Sequence, residues 1–311
     1  MVMPTWSPDG SQIAWAESSG GSKERIWLAS SNGSNAHPVT QPIDALFQFA
    51  WLPSKQLLYD ANFSLFRLPL KTLRPVLFEI GPESFTTNRT GTISASGSVS
   101  CSHCGGPIIV KSITGDLRTS IGGRKVDNYL PTLSPDGRLV AFSRTFWSKA
   151  AGEYDQPAGI WVSSTAGGPL RQLTRSGQDP SWSPDGRRLV YLDRRPNNLP
   201  YNNTLRLVST NGRSNVLLLR GNVLQYLSSP PMWSADSRSV ALVSDTGQLL
   251  VVNVATHRAK AVTETAIGRV DGFAWSPNSN TLLVTAQSKT TGCALWAIKA
   301  SGSTKLLRRT C

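Results

Sequence analysis

Short apolar stretches recur along this chain at nearly even intervals, and each is followed by the same kind of polar turn. Pro4-Thr5-Trp6-Ser7-Pro8-Asp9-Gly10 returns as Pro131-Thr132-Leu133-Ser134-Pro135-Asp136-Gly137 and again as Pro180-Ser181-Trp182-Ser183-Pro184-Asp185-Gly186. Weaker copies lie at Pro231-Met232-Trp233-Ser234-Ala235-Asp236-Ser237 and Phe273-Ala274-Trp275-Ser276-Pro277-Asn278-Ser279. Two decayed copies fill the gap between the first copy and that at Pro131, Phe49-Ala50-Trp51-Leu52-Pro53-Ser54 and Thr92-Ile93-Ser94-Ala95-Ser96-Gly97. The copies are spaced by about 40 to 51 residues, the period of four-stranded propeller blades.

Each copy opens a unit with one internal order. An apolar segment ends at the Trp-Ser pair, and Ser-Pro-Asp-Gly then supplies turn chemistry: Pro fixes φ, Asp suits the third position and Gly accepts a positive φ. An alternating second strand follows, as at Ile13-Ala14-Trp15, Leu139-Val140-Ala141-Phe142 and Leu189-Val190-Tyr191. A loop of variable length leads to a third strand (Ile26-Trp27-Leu28, Ile160-Trp161-Val162, Leu249-Leu250-Val251-Val252). A tight turn then feeds a fourth strand ending near Thr40, Thr174 or Thr263. A four-stranded sheet cannot bury both faces alone, so such units stack in a ring. The expectation is therefore an all-β chain, one β-propeller domain over residues 1–311. Its antiparallel blades open near Trp6, Trp51, Ile93, Leu133, Trp182, Trp233 and Trp275. Seven openings give seven blades, or six if the unit around Ile93 is an insertion.

The Trp-Ser-Pro-Asp-Gly opening with its Ile-Ala-Phe-like and Ile-Trp-Val-like strands resembles the TolB-like propeller repeat, a relative of WD-repeats. The resemblance covers essentially the whole chain and implies the fold. TolB joins a six-bladed propeller to a preceding α/β domain, which has no counterpart here. Prolyl oligopeptidase-like peptidases carry similar repeats beside a hydrolase domain with a Gly-x-Ser-x-Gly turn, and these 311 residues contain no such turn. Some oligogalacturonate lyases share the propeller and place several metal-binding His at its centre. This chain has three His (His37, His103 and His257), in three different units.

Composition agrees with the pattern. Charged residues are only 16%, while 26 Gly and 20 Pro furnish the many turns an all-β chain needs. No apolar run reaches the about 18 residues of a membrane-spanning helix, and the first residues have neither a basic nor an apolar region of a signal peptide. The net charge of +13 favours anionic partners, glycan or lipid, but Lys and Arg are scattered rather than gathered into a nucleic-acid-binding arm. No cofactor and no specific nucleic acid is expected, and the protein is taken as a monomer that does not span a membrane.

Four Cys allow three pairings. Folding the last hairpin about Gly302 sets Lys299 opposite Lys305, Trp296 opposite Arg308 and Cys293 opposite Cys311, so a Cys293–Cys311 bridge is geometrically reasonable. Cys101 and Cys104 are assigned a local disulfide, with free thiols or half of a zinc site using His103 as alternatives. Two disulfides point to a periplasmic, cell-envelope or secreted location.

Function is expected on the propeller face that carries the strand two–three loops and the inter-blade loops, which are long and irregular. The candidate binding residues are Phe146, Trp147, Tyr154 and Asp155 on one loop, Arg194, Arg195 and Tyr201 on a second, and Tyr226 on a third. Asp44, Asp127, Asp179 and Asp271 precede the first strands and are candidates for the mouth of a central channel. Their alternative role is to cap the turn into each strand. No catalytic or metal residue is assigned. The leading expectation is a non-catalytic extracytoplasmic scaffold that binds a protein or peptide. The alternatives are a propeller enzyme (a lyase or glycan-acting hydrolase) with channel-mouth carboxylates, and a binder of anionic glycan or lipid.

Overall fold

The computed structural model describes residues 4–62, 64–80, 84–88, 90–97, 106–114, 118–123, 126–146, 156–194, 203–221, 230–263, 267–278, 280–289 and 292–310. Side chains are described for these except at 84, 146, 156–158, 194 and 203. The chain is all-β, with seven antiparallel blades arranged as a β-propeller. Every blade pairs its strands in chain order.

Blade 1 holds β1 (Thr5–Trp6), β2 (Gln12–Ser18), β3 (Lys23–Ser30) and β4 (His37–Pro38), with β5 (Ile43–Asp44) added along the start of β3. Blade 2 holds β6 (Phe49–Leu52), β7 (Gln56–Ala61), β8 (Ser64–Pro69) and β9 (Val76–Ile80). Blade 3 holds β10 (Ser84–Thr87), β11 (Ile93–Gly97), β12 (Ile108–Ser112) and β13 (Arg118–Ile121). Blade 4 holds β14 (Asp127–Leu133), β15 (Leu139–Phe146), β16 (Gln156–Ser164) and β17 (Arg171–Gln172). Blade 5 holds β18 (Gln178–Trp182), β19 (Arg188–Arg194), β20 (Asn203–Ser209) and β21 (Asn215–Leu219). Blade 6 holds β22 (Met232–Trp233), β23 (Ser239–Val243), β24 (Leu249–Asn253) and β25 (Ala259–Ala261). Blade 7 holds β26 (Arg269–Trp275), β27 (Thr281–Ser288), β28 (Gly292–Lys299) and β29 (Thr304–Arg309).

The chain divides into two compact units, Met1–Ile80 with Asn222–Cys311, and Gly81–Gly221. The first contains blades 1, 2, 6 and 7, and the second blades 3, 4 and 5. Within the first, β22 lies against β26, β26 against β1 and β1 against β6. Within the second, β10 lies against β14 and β14 against β18. The first strand of a blade is thus its inner strand. Among the described residues, no helix is long and apolar enough to cross a membrane.

The recurrent turn is held by its own side chains. Ser7 Oγ donates to Asp9 Oδ1 at 2.6 Å and accepts the Gln12 amide at 2.9 Å, while Asp9 Oδ1 accepts the Ser11 amide at 3.0 Å. The same Ser-to-Asp bond, 2.6 Å long, recurs at Ser134–Asp136, Ser183–Asp185 and Ser234–Asp236. The Ser7 hydroxyl and then the Ser11 amide hold the Asp9 carboxyl down to about 2. Gly10 closes the turn, its amide donating to Ser7 O at 2.8 Å with φ at 71°. Few residues other than Gly adopt that angle without strain.

The Trp of the motif stitches neighbouring blades. Trp182 Nε1 donates to Thr132 O on the preceding blade at 3.1 Å, and Trp275 Nε1 donates to Met232 O at 3.0 Å. A buried indole supplies apolar area and needs an acceptor for its N–H, and the adjacent inner strand presents one. The threonines at the ends of the fourth strands act similarly inside a blade. Thr40, Thr174 and Thr263 Oγ1 accept the amides of Ile26, Ile160 and Leu249 at 3.0, 2.9 and 2.9 Å.

Two details of the sequence reading are corrected. The unit around Ile93 is a blade, but its turn lies earlier, because Ile93 begins the second strand rather than ending the first. Asn88 replaces the motif serine: its Oδ1 accepts the Thr92 and Ile93 amides at 2.8 and 3.0 Å, and the Gly91 amide donates to its carbonyl at 2.8 Å. In the last hairpin, a bulge between Leu295 and Trp296 moves the register. Lys305 faces Ala297, Leu306 faces Trp296 and Arg308 faces Leu295. A bulge sets two residues against one, which a simple two-residue count from Gly302 cannot anticipate. The Thr310 amide bonds Cys293 O at 2.9 Å, so Cys311 follows directly on the residue facing Cys293. Cys293 is disulfide-bonded. Cys311, Cys101 and Cys104 lie outside the described residues.

Blades 1 and 7 are each complete and share no strand. They meet through side chains instead. Ile13, Trp15 and Ala29 of blade 1 pack with Leu283 and Leu295 of blade 7, flanked by Trp6, Trp27 and Leu307. Arg308 Nε bonds Glu17 Oε1 at 2.8 Å, and its guanidinium lies 4.5 Å from the Trp27 ring centre. Asn278 Nδ2 donates to Asp9 O at 2.6 Å.

Candidate functional site

The inner strands bend where they begin. β14, β18 and β26 carry bulges between Tyr129 and Thr132, Gln178 and Ser181, and Val270 and Gly272. Such bulges re-aim side chains and are over-represented next to functional sites. Two of the four channel-mouth candidates sit in them. Asp179 is 5% exposed with φ at 53°, its amide donating to Ser143 Oγ at 3.2 Å and its Oδ2 accepting Gln178 Nε2 at 3.3 Å. Asp271 is half-buried, and burial pushes its carboxyl up. Asp127 begins β14, opposite Thr145. Asp44 stands apart from any inner strand: it ends β5, is exposed, and pairs with Lys23 at 3.5 Å. Asp44 and Asp271 belong to the first unit, Asp127 and Asp179 to the second.

The loop candidates fall elsewhere. Phe146 and Arg194 end β15 and β19, and only their backbone is described. Trp147, Tyr154, Asp155, Arg195, Tyr201 and Tyr226 lie outside the described residues.

Two ionisable groups that sequence reasoning missed are the more unusual ones. In the first unit, Asp60 lies on β7 at 3% exposure. Its Oδ1 accepts the amides of Phe47 and Gln48, both at 2.8 Å, fixing the segment that leads into β6. Its Oδ2 is buried with no partner among the described residues. Desolvation outweighs the two amide bonds and pushes the carboxyl up to about 6.

In the second unit, Arg144 lies near the end of β15 at 7% exposure. Its Nε donates to Asn128 Oδ1 at 2.9 Å, and its guanidinium lies 4.7 Å from the Trp161 ring centre. Asn128 is itself fixed, since Nδ2 donates to Gly106 O at 2.7 Å. Burial draws the arginine below its usual range. Both groups interrupt an apolar strand (Leu57-Leu58-Tyr59-Asp60 and Val140-Ala141-Phe142-Ser143-Arg144), and that interruption was the available signal.

Asp60 carries a pH prediction. An exposed Asp titrates near about 3.9, and the folded carboxyl near 6, so the folded state binds the proton more tightly. The associated stability is full below about pH 4 and lost as pH rises through 6. Asp60→Asn removes this titration. The wild type should therefore lose roughly 2–3 kcal/mol relative to the variant between pH 4 and pH 7.5. Urea unfolding of both proteins at the two pH values measures this, and an unchanged difference would refute the assignment.

No protein-family model matches the chain. A curated relative is the uncharacterized peptidase YuxL of Bacillus subtilis (strain 168), 29% identical over 139 residues. The match takes in 44% of this chain but only 20% of that protein. Among solved structures, an oligogalacturonate lyase in complex with manganese is similar with a TM-score of 0.69 at 17% identity, covering 94% of this chain and 87% of that one. A puromycin-hydrolyzing peptidase of Mycobacterium tuberculosis is similar with a TM-score of 0.68 at 13% identity, covering 99% and 53%. A putative TolB from Agrobacterium tumefaciens gives a TM-score of 0.51 at 16% identity, covering 88% and 84%. The resemblance to TolB-like and WD-repeat-like propellers therefore holds at the level of fold.

These likenesses overturn the expectation of a non-catalytic scaffold for a protein or peptide partner. Propellers similar over nearly the whole chain include those of a lyase and of a peptidase, and the sequence match is to a peptidase. They favour the alternative of an enzyme propeller.

Proposed function

We propose that this chain is the propeller of a peptidase, with residues 1–311 working as one domain that receives and orients peptide substrate. The observation that carries this reading is the sequence match to the peptidase YuxL, because that likeness is of sequence. The catalytic step is assigned to residues outside this sequence, which has no Gly-x-Ser-x-Gly turn. What the chain itself contributes is a set of sheets, with charged groups held in the bulges of inner strands. Asp179 and Asp271 are proposed to meet basic groups of the substrate. A Cys293–Cys311 bridge is proposed to pin the last strand and, with it, an extracytoplasmic location.

A lyase reading is favoured by the extent of the structural match, which covers most of both chains. The residues do not fit the metal that the lyase holds. His37 and His257 are exposed on different blades, and no group of three or more metal-ligating side chains exists among the described residues.

Polygalacturonate and a mixture of short peptides separate the two readings. The protein is expected to bind peptides in calorimetric titrations and to leave polygalacturonate intact, with or without added manganese. Manganese-dependent appearance of unsaturated sugar products would transfer the assignment to the lyase.

A further inference from the structure

The second strand of a blade ends on a polar residue in several blades, and in two of them that residue has an opposite charge beside it. Glu17 of blade 1 pairs with Arg308 at 2.8 Å. Asp193 of blade 5 accepts Ser176 Oγ at 2.6 Å and faces Arg206 Nε at 3.8 Å. Arg144 occupies the corresponding place in blade 4, and no ion pair engages it among the described residues. The fixed charge is more than nine-tenths buried, and its only hydrogen-bond partner there is a neutral amide.

That arrangement is costly for a structural residue. A buried cation without a counter-charge destabilises the fold unless something supplies the charge. Asn128 does not neutralise it. It takes the Nε hydrogen, and no described residue engages the end-on pair of Nη donors. Trp161 supports one face of the guanidinium, which fixes the plane without using its donors. Gly159 lies directly across the ladder from Arg144, so the position opposite it carries no side chain, and Trp161 is the residue of that strand that covers the group. A planar fork with fixed orientation and free outer donors matches a carboxylate, which accepts two parallel N–H bonds.

We propose that Arg144, oriented by Asn128 and Trp161, is a binding site for a carboxylate carried by the substrate. The inference rests on the enzyme reading above and deepens it by naming the substrate group. A peptide C-terminus and a uronate sugar share this chemistry.

Calorimetric titration at low salt with three probes tests the site: N-acetyl-dialanine, its C-terminal amide, and galacturonate. Wild type should bind the free acid at least about tenfold more tightly than the amide, and Arg144→Gln should remove that preference while leaving amide binding unchanged. The thermal midpoint of Arg144→Gln should not fall, because the lost charge has no counter-charge among the described residues to leave behind. If Arg144→Gln does not fold, Arg144→Lys decides. A selective loss of free-acid binding of at least about threefold supports the site, since Lys lacks the fork, and no loss overturns it. Arg144-dependent binding of galacturonate without binding of either dipeptide keeps the carboxylate site and removes the peptidase reading. Equal binding of acid and amide keeps the peptidase reading and removes the site. Failure of all three probes to bind wild type overturns the proposal.

Discussion

Gly159→Ala is expected to destabilise the protein by on the order of 3 kcal/mol or more. Gly159 has φ at 80°, and a Cβ there would overlap the backbone carbonyl of Thr174. Backbone cannot give way as a long side chain can. Thr174 is also tied down, because its Oγ1 accepts the Ile160 amide and donates to Ser176 O at 2.7 Å. Relief would have to open the hairpin between β16 and β17, exposing Ile160 and Val162 of the blade 4–blade 5 core. Chemical denaturation should show a lower midpoint, and a variant as stable as wild type would mean that Gly159 of β16 is not held against Thr174 as described. Gly167→Ala is the matched control: it too has a positive φ, but a Cβ there meets only a threonine methyl at ordinary contact distance, 3.4 Å.

Trp15→Ala should cost roughly 3–5 kcal/mol, the range for removing a buried aromatic side chain. Trp15 is fully buried where the first and last blades meet. Its ring stacks on Trp27 at 6.3 Å between centroids, and its Nε1 donates to Glu17 at 2.9 Å. Glu17 in turn holds Arg308 of the last strand. Losing the indole therefore removes apolar packing and loosens the Glu17–Arg308 ion pair between these two blades. Because blades 1 and 7 share no strand, side chains alone resist their separation. Hydrogen exchange should rise first in β28 and β29, well before blades 3 to 5. Uniform acceleration throughout the chain, or none, would contradict this account of the seam.

The blades were readable where the motif is complete. Ser-Pro-Asp-Gly forms a closed set of local bonds, so Trp6, Leu133 and Trp182 each announce the end of an inner strand. The third blade was harder because Asn88 performs the serine's task with a different atom, and the apolar signal at Ile93 belongs to the next strand. The register of the last hairpin escaped because a bulge leaves no trace in a two-residue alternation. Fourth strands such as β4 and β17 are two residues long, too short to show any period. The candidate site was less legible. Asp179 and Asp271 were found because they precede the motif. Asp60 and Arg144 were missed because each lies in an apolar strand, and what sets them apart is burial and the lack of an opposite charge among the described residues. Those are properties of the packed blades, not of neighbouring residues in sequence.

The central claim is that these blades serve a peptidase. The most direct measurement is on the natural polypeptide. Antibody raised against residues 1–311 would be used to isolate it from its source cells, and the isolated material treated with a fluorophosphonate that labels activated serines. The account predicts covalent labelling of the polypeptide that contains the propeller, together with hydrolysis of short peptides that the label abolishes. Isolated propeller with neither labelling nor peptide hydrolysis would contradict it.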